Sequence, residues 1–317
     1  MTDSRTTATS QGRFSEAAMR RTAEKLADDL HLDGELRLLQ LSNNAIFAVP
    51  DADAVIRITR SRSLGHRAAK AAALGAWFAD VNAPTIRLAG LDRPQPLEVD
   101  GLAATVWVYL PPTPPKPDVS DLGHTLRAFH HLGTPPFDLP AWDPVGDTRA
   151  RIADAEALTE ADRDFLLAWC HRLEPQTTAL NLAQAPSLVH GDAHVGNLLR
   201  ADPQHVVLGD FDATCQGPWQ FDLVAVPVGE ARFSRPGAHA QLAAAYGYDV
   251  TTDPAWPILR QARELKMVAG ALPRMGTSPA IQQEFKIRLD SIRRDDSSAR
   301  WTPFAALEGV SGVSDRR

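Results

Sequence analysis

The stretch LVHGDAHVGNLL (188–199), followed by VVLGDFD (206–212), constrains the fold of this chain more than any other feature. It sets Asp192, Asn197 and Asp210 in the order and spacing that suit metal-dependent phosphoryl transfer. In that chemistry one carboxylate accepts or orients the proton of an attacking hydroxyl, while an amide oxygen and a second carboxylate hold Mg²⁺ against nucleotide phosphates. The apolar residues around these groups show where they sit. Ser187, Leu188 and Val189 run into His190 and Gly191, Leu198 and Leu199 resume after Asn197, and Val206, Val207 and Leu208 lead to Asp210. The polar groups therefore occupy loops held by short strands, positioned without being buried.

The blocks resemble those of the aminoglycoside phosphotransferase family of small-molecule kinases, which carry HGDxHxxN and an aspartate ahead of an aromatic. The first motif is complete at His190, Gly191, Asp192, His194 and Asn197, and Asp210 with Phe211 fits the second. Downstream, GPWQFDLV is similar to the family's GDPxxDLA, with Gly217, Pro218, Asp222 and Leu223 retained. Weaker similarity runs from about Leu39 to Phe304. The resemblance implies an α+β, bilobal, protein-kinase-like fold with a small antiparallel-sheet N-lobe and a mainly helical C-lobe. It implies Asp192 as the catalytic carboxylate, Asn197 and Asp210 as Mg²⁺ ligands, and ATP or GTP as donor. Asp222, a lone acid in an apolar segment, needs hydrogen bonds to be buried; the resemblance suggests backbone N–H groups of the catalytic loop. His190 and His194 are expected to support that loop rather than act as base, and Asp212 is a further candidate ligand at a position where the family need not keep an acid.

The composition is compatible with this reading. A chain of 317 residues with 44% hydrophobic content is long enough for two lobes. Its 33 Lys and Arg against 39 Asp and Glu leave a net charge of −6, so no global field attracts nucleic acid or an anionic membrane, and a cationic acceptor is the easier one to accommodate. Cys170 and Cys215 lie far apart with no CxxC, which argues against a disulfide framework or structural zinc and makes a reducing cytoplasm the default. No segment has the apolar length of a signal peptide core or membrane span.

Along the chain, residues 1–13 and 309–317 read as disordered tails, 14–110 as the N-terminal nucleotide-binding lobe with its hinge, and 111–308 as the C-terminal lobe. Apolar residues at three- to four-residue intervals predict a helix over 14–30, and strand-like runs at 36–41, 45–49 and 55–58 predict an antiparallel meander. Ser42, Asn43 and Asn44 form the turn between the first two strands, where small polar residues present backbone N–H groups to phosphate. A plain hairpin is the alternative. Arg57, in VIRI, resembles the nucleotide-binding lysine of VAIK, and its guanidinium can hold phosphate bidentately; a solvent-facing strand residue is the alternative. The alanine-rich helix over 64–80 should carry a glutamate to pair with Arg57, yet no Glu occurs between Glu35 and Glu98, and Lys70 and Ala71 lie near the expected place. Arg57 is then held by phosphate alone, by Asp80 or by another acid.

A strand is expected at 86–88, and another at 103–110. The second ends in Trp107, Val108, Tyr109 and Leu110, which by resemblance form the hinge that meets the nucleotide base. Ser120 or Asp121 is expected to cap the next helix, whose His124, His130 and His131 read as surface or capping residues. A further helix spans 160–173. Glu230, Asp249 and Glu264 are candidate acids for an acceptor cleft, each equally readable as a solvated charge.

The reading is a Mg²⁺-dependent kinase acting on a hydroxyl of an aminoglycoside-like acceptor, with an antibiotic-resistance role as its corollary. Choline-like, sugar and amino-acid acceptors share the motif. A non-catalytic nucleotide-binding module is the rival, on the missing helix glutamate. A metallophosphoesterase does not fit, because GNLL lacks the His and acid that should follow GN directly, and no His cluster comes later.

Overall fold

The computed structural model describes residues 14–42, 44–276 and 278–307. The two tails and Asn43 lie outside the described residues. In chain order the elements are α1 (Glu16–Asp29), β1 (Arg37–Leu41), β2 (Asn44–Val49), β3 (Ala54–Thr59), α2 (Gly65–Asp80), β4 (Leu97–Val99) and β5 (Leu102–Val108). Then come α3 (Val119–His130), α4 (Pro144–Ala153), α5 (Glu160–Ala183), β6 (Ser187–Val189), β7 (Leu198–Arg200), β8 (Val206–Leu208) and β9 (Cys215–Gly217). The remainder is α6 (Ala225–Phe233), α7 (Ala238–Tyr246), α8 (Trp256–Ala269), α9 (Pro279–Arg293) and α10 (Phe304–Leu307). Contacts divide the chain into two compact units, Met1–Lys116 with Leu199–Asp212, and Pro117–Leu198 with Ala213–Arg317.

The first unit is built on an antiparallel sheet of order β1-β2-β3-β5-β4. Ala54, Ile56 and Ile58 of β3 are buried while Val55 and Arg57 are less so, the two-residue alternation of a strand with unequal faces. Met19, Ala23, Leu26 and Ala27 of α1 close one core with Phe47, Ile56 and Val106. Ser15 Oγ accepts the Ala18 N–H and starts α1 at Glu16. Residues 86–88, expected as a strand, form none: isolated bridges join Leu88 to Trp107 and the preceding Thr85 to Leu208. The Arg87 guanidinium takes the carbonyls of Ala83 and Thr85 there instead.

The second unit is mainly helical, with β6 and β9 paired antiparallel beneath the HGD loop. α3 is capped by Asp118, not by Ser120 or Asp121. Asp118 accepts the Asp121 N–H at 2.9 Å and Asp121 returns a bond from the Asp118 N–H at 3.1 Å, a capping box whose first member lies one residue before the helix. α5 continues ten residues past its expected end, through Pro175 to Ala183. Buried Leu173, Thr177 and Leu180 carry its apolar stripe across the proline, and that packing outweighs the roughly 3 kcal/mol an interior proline costs. Among the described residues no helix is long and apolar enough to cross a membrane. Thus the α+β architecture, small antiparallel sheet first and helices after, is the one expected.

Candidate active site

In the first unit the segment after β8 turns sharply at Asp210, whose φ of 61° lies in the left-handed region. Aspartate is one of the few L-residues that visit this region readily, because its short polar side chain satisfies nearby backbone. Phe211 anchors the turn: it is buried between Phe78 and Trp107, with ring centroids 4.9 and 5.8 Å away. Asp210 and Asp212, on either side of Phe211 in the chain, both meet one guanidinium. Arg57 Nη2 lies 2.5 Å from Asp212 Oδ2 and 3.3 Å from Asp210 Oδ1.

Asp212 is thus the acid opposite Arg57 that the alanine-rich helix lacks. Asn44 Nδ2 donates to Asp212 Oδ2 at 3.0 Å, and Lys70, near the place of the expected glutamate, donates to the Asp212 carbonyl at 2.8 Å. Burial works against ionisation of Asp212, but the charge of Arg57 and the bond from Asn44 hold its carboxyl below the ordinary range. Asn44 is the buried first residue of β2, and Ser42 closes on its own turn, its N–H donating to the Asn44 carbonyl and its Oγ accepting from Gln40. In the hinge segment Trp107 is buried with its indole N–H on Thr105, while the N–H groups of Val108 and Tyr109 donate to the carbonyls of Arg87 and Asp53.

In the second unit β6 delivers the HGD loop. Gly191 has a φ of 79°, and a Cβ there would lie 2.2 Å from the Ala213 carbonyl oxygen, so this position admits only glycine without displacing backbone. The buried Asp222 fixes the loop from below: its Oδ2 accepts the His190 N–H at 2.7 Å and its Oδ1 the Gly191 N–H at 2.8 Å. His130 Nε2 bonds Asp222 Oδ2 at 3.0 Å, and its Nδ1 meets the Tyr246 hydroxyl at 2.9 Å. His130 is thus not the surface or capping residue expected. Its place on the buried face of α3 depends on where Asp222 returns, 92 residues later. Burial alone would raise the Asp222 pKa; the His130 bond and charge, with the His190 amide, overcome it and leave the carboxyl low.

Asp192 stands above this scaffold with about a third of its side chain exposed. Two cations from α8, not anticipated from the sequence, meet the same oxygen: Arg263 Nη1 and Lys266 Nζ each lie 3.0 Å from Asp192 Oδ1. Lys266 also donates to the Gly191 carbonyl at 2.6 Å. Desolvation opposes the charge on Asp192, yet Lys266 and Arg263 hold its carboxyl far below the ordinary range. His194, lowered by burial against the pull of Asp192, is a weaker base than an ordinary histidine. The spacing of Arg263 and Lys266 places them one turn apart on the helix, and ARELK carries that signal only once the fold brings α8 to the loop.

The remaining acids are engaged within the second unit. Glu264 is buried and ion-paired with Arg232 at 2.7 Å, Glu230 accepts the His239 N–H at 2.7 Å, and Asp249 accepts from Thr251 and bonds His239. Each unit by itself offers an oxygen of the kind a hard cation takes. Asn197 Nδ2 donates to the Asp192 carbonyl at 2.9 Å, which leaves its Oδ1 as the acceptor atom, and Asp210 offers a half-exposed carboxylate. No cluster of three or more His, Cys, Asp or Glu suited to a metal occurs among the described residues.

Comparison with known proteins bears on the family and the fold. No curated protein matches the chain in sequence. Among solved structures, an amicoumacin kinase, hAmiN, in complex with AMP-PNP, Ca²⁺ and Ami is 13% identical with a TM-score of 0.63, covering 92% of this chain and 100% of that one. The choline kinase LicA from Streptococcus pneumoniae is 13% identical with a TM-score of 0.60, covering 86% and 99%. APH(2″)-IIia, solved with GDP and kanamycin, is 15% identical with a TM-score of 0.58, covering 86% and 99%. These likenesses establish the fold, and the model of the phosphotransferase enzyme family APH matches residues 35–262. The chain belongs to that phosphotransferase family.

Proposed function

We propose that the protein is a small-molecule kinase that moves the γ-phosphate of ATP or GTP to a hydroxyl. The observation that carries this reading is the ionised, partly exposed Asp192 on a loop fixed by Asp222 and Gly191. A carboxylate so placed orients an acceptor hydroxyl and takes its proton as the phosphoryl group arrives. Arg57, steadied by Asp212, supplies a guanidinium for donor phosphates. Asp210 and Asn197 each offer an oxygen to the divalent cation, Mg²⁺ in this reading, which neutralises phosphate charge when bound. Ser42 and Asn44 shape the turn for the donor, with residues 107–110 meeting its base. The AMP-PNP and GDP complexes of similar folds keep both donors in view. The acceptor candidates are aminoglycoside-like, choline-like, sugar and amino-acid alcohols.

A screen of hydroxylated acceptors reading nucleotide consumption with and without Mg²⁺ tests the reading. Mg²⁺-dependent consumption that disappears in Asp192→Asn is expected. Consumption unaffected by that substitution would overturn the role of Asp192.

A further inference from the structure

We infer that the acceptor carries an anionic group, a carboxylate or a phosphate ester, close to the hydroxyl that is phosphorylated, and that Arg263 and Lys266 recognise it. This rests on the kinase reading and narrows its acceptor class. Any hydroxyl within reach of Asp192 lies beside a guanidinium and an ammonium, each 3.0 Å from one oxygen of that carboxylate. Two cations face one anion there.

The pairing of Arg263 is also incomplete. Among the described residues its guanidinium donates through Nη1 alone, and its Nε–H is buried with no partner, although a guanidinium has five donors in a fork shaped for carboxylate or phosphate oxygens. An ammonium-rich acceptor would find the reverse. Glu264 is saturated by Arg232, and Glu230 and Asp249 accept bonds from His239 and Thr251. These three acids are engaged by neighbours within the second unit, while two cations stand beside Asp192.

The test uses acceptor pairs that share a hydroxyl and differ in one charge: hydroxy acids against their amides, sugar phosphates against the parent sugars, and an aminoglycoside as the cationic member. kcat/KM is measured for each with Mg²⁺ and ATP or GTP. The anionic partner should be preferred by about ten-fold or more, and Arg263→Gln and Lys266→Gln should each reduce that preference by about ten-fold, as for a hydrogen-bonded charge pair. Because the preference is a ratio within one variant, a general loss of turnover from disturbing Asp192 cancels. Preference for the carboxylate over the phosphate partner, or the reverse, identifies the anion.

A second arm needs no turnover: malonate titrated by calorimetry into the full-length protein with Mg²⁺ and AMP-PNP should bind once per chain, and about ten-fold more weakly in Arg263→Gln. Preference for the neutral or cationic member, failure of malonate to bind, or variants that raise the nucleotide KM while the acceptor preference stays intact would overturn the assignment and leave the kinase reading standing. No consumption with any acceptor would remove the kinase reading and this assignment together.

Discussion

Asp192, Asp210 and Asp212 lie close in sequence and have different chemical surroundings. Asp192 meets two cations that keep it ionised, so Asp192→Asn should lower kcat by a factor on the order of 10² to 10⁴ with nucleotide affinity unchanged, measured by steady-state kinetics and calorimetry. Asp210→Ala should abolish the Mg²⁺ dependence of nucleotide binding, and Asn197→Ala should weaken it less, because a carboxylate neutralises metal charge and an amide does not. Titration with and without Mg²⁺ reads both, and an unchanged metal response in the Asp210 variant contradicts the assignment. Asp212 was legible only as an extra acid after Phe211. Its pairing with Arg57 links β3 to the end of β8, 155 residues apart in number. Asp212→Asn should therefore destabilise the protein by about 1.5–3 kcal/mol, the worth of hydrogen bonds to charged groups, in denaturant unfolding.

At the scale of elements, periodicity located α1 and the meander β1 to β3 to within a few residues, because each buries one face and the burial pattern repeats at the period of its backbone. It failed where a local rule met a tertiary one. The helix expected over 160–173 runs on because the buried stripe of α5 carries it past Pro175. Asp118 caps α3 although Ser120 and Asp121 are equally suitable residue types; the reciprocal bond with Asp121 selects it. Asp118→Ala should cost about 1 kcal/mol, seen as a lowered Tm. Gly191→Ala tests the loop differently. With backbone of Ala213 in the way, the HGD turn cannot keep its conformation, so turnover should collapse even where circular dichroism shows the helices retained. Full activity in that variant would show that the turn tolerates a side chain.

For the whole molecule, the carboxyls held below their ordinary range in the folded state include the well-buried Asp212 and Asp222 and the ion-paired Asp192. Between the folded and unfolded pKa values the unfolded chain binds protons that the native state does not, so acid favours unfolding. Their contribution is fully present above the ordinary aspartate value of about 3.9 and is lost as pH falls through the depressed folded values. Denaturant midpoints measured from neutral pH downward should fall steeply below about pH 4, and the fall should be shallower in Asp222→Asn. A midpoint independent of pH across that window would contradict the sign.

The order of motifs, the strand and helix periods and the residue types of a phosphoryl-transfer site are properties of the sequence alone, because they depend on neighbours within a few residues. The choice of partners was made by tertiary structure: Asp212 for Arg57, His130 for Asp222, Arg232 for Glu264, and Arg263 with Lys266 for Asp192. An ion pair depends on distance and desolvation, and both are set only when segments far apart in the chain pack together.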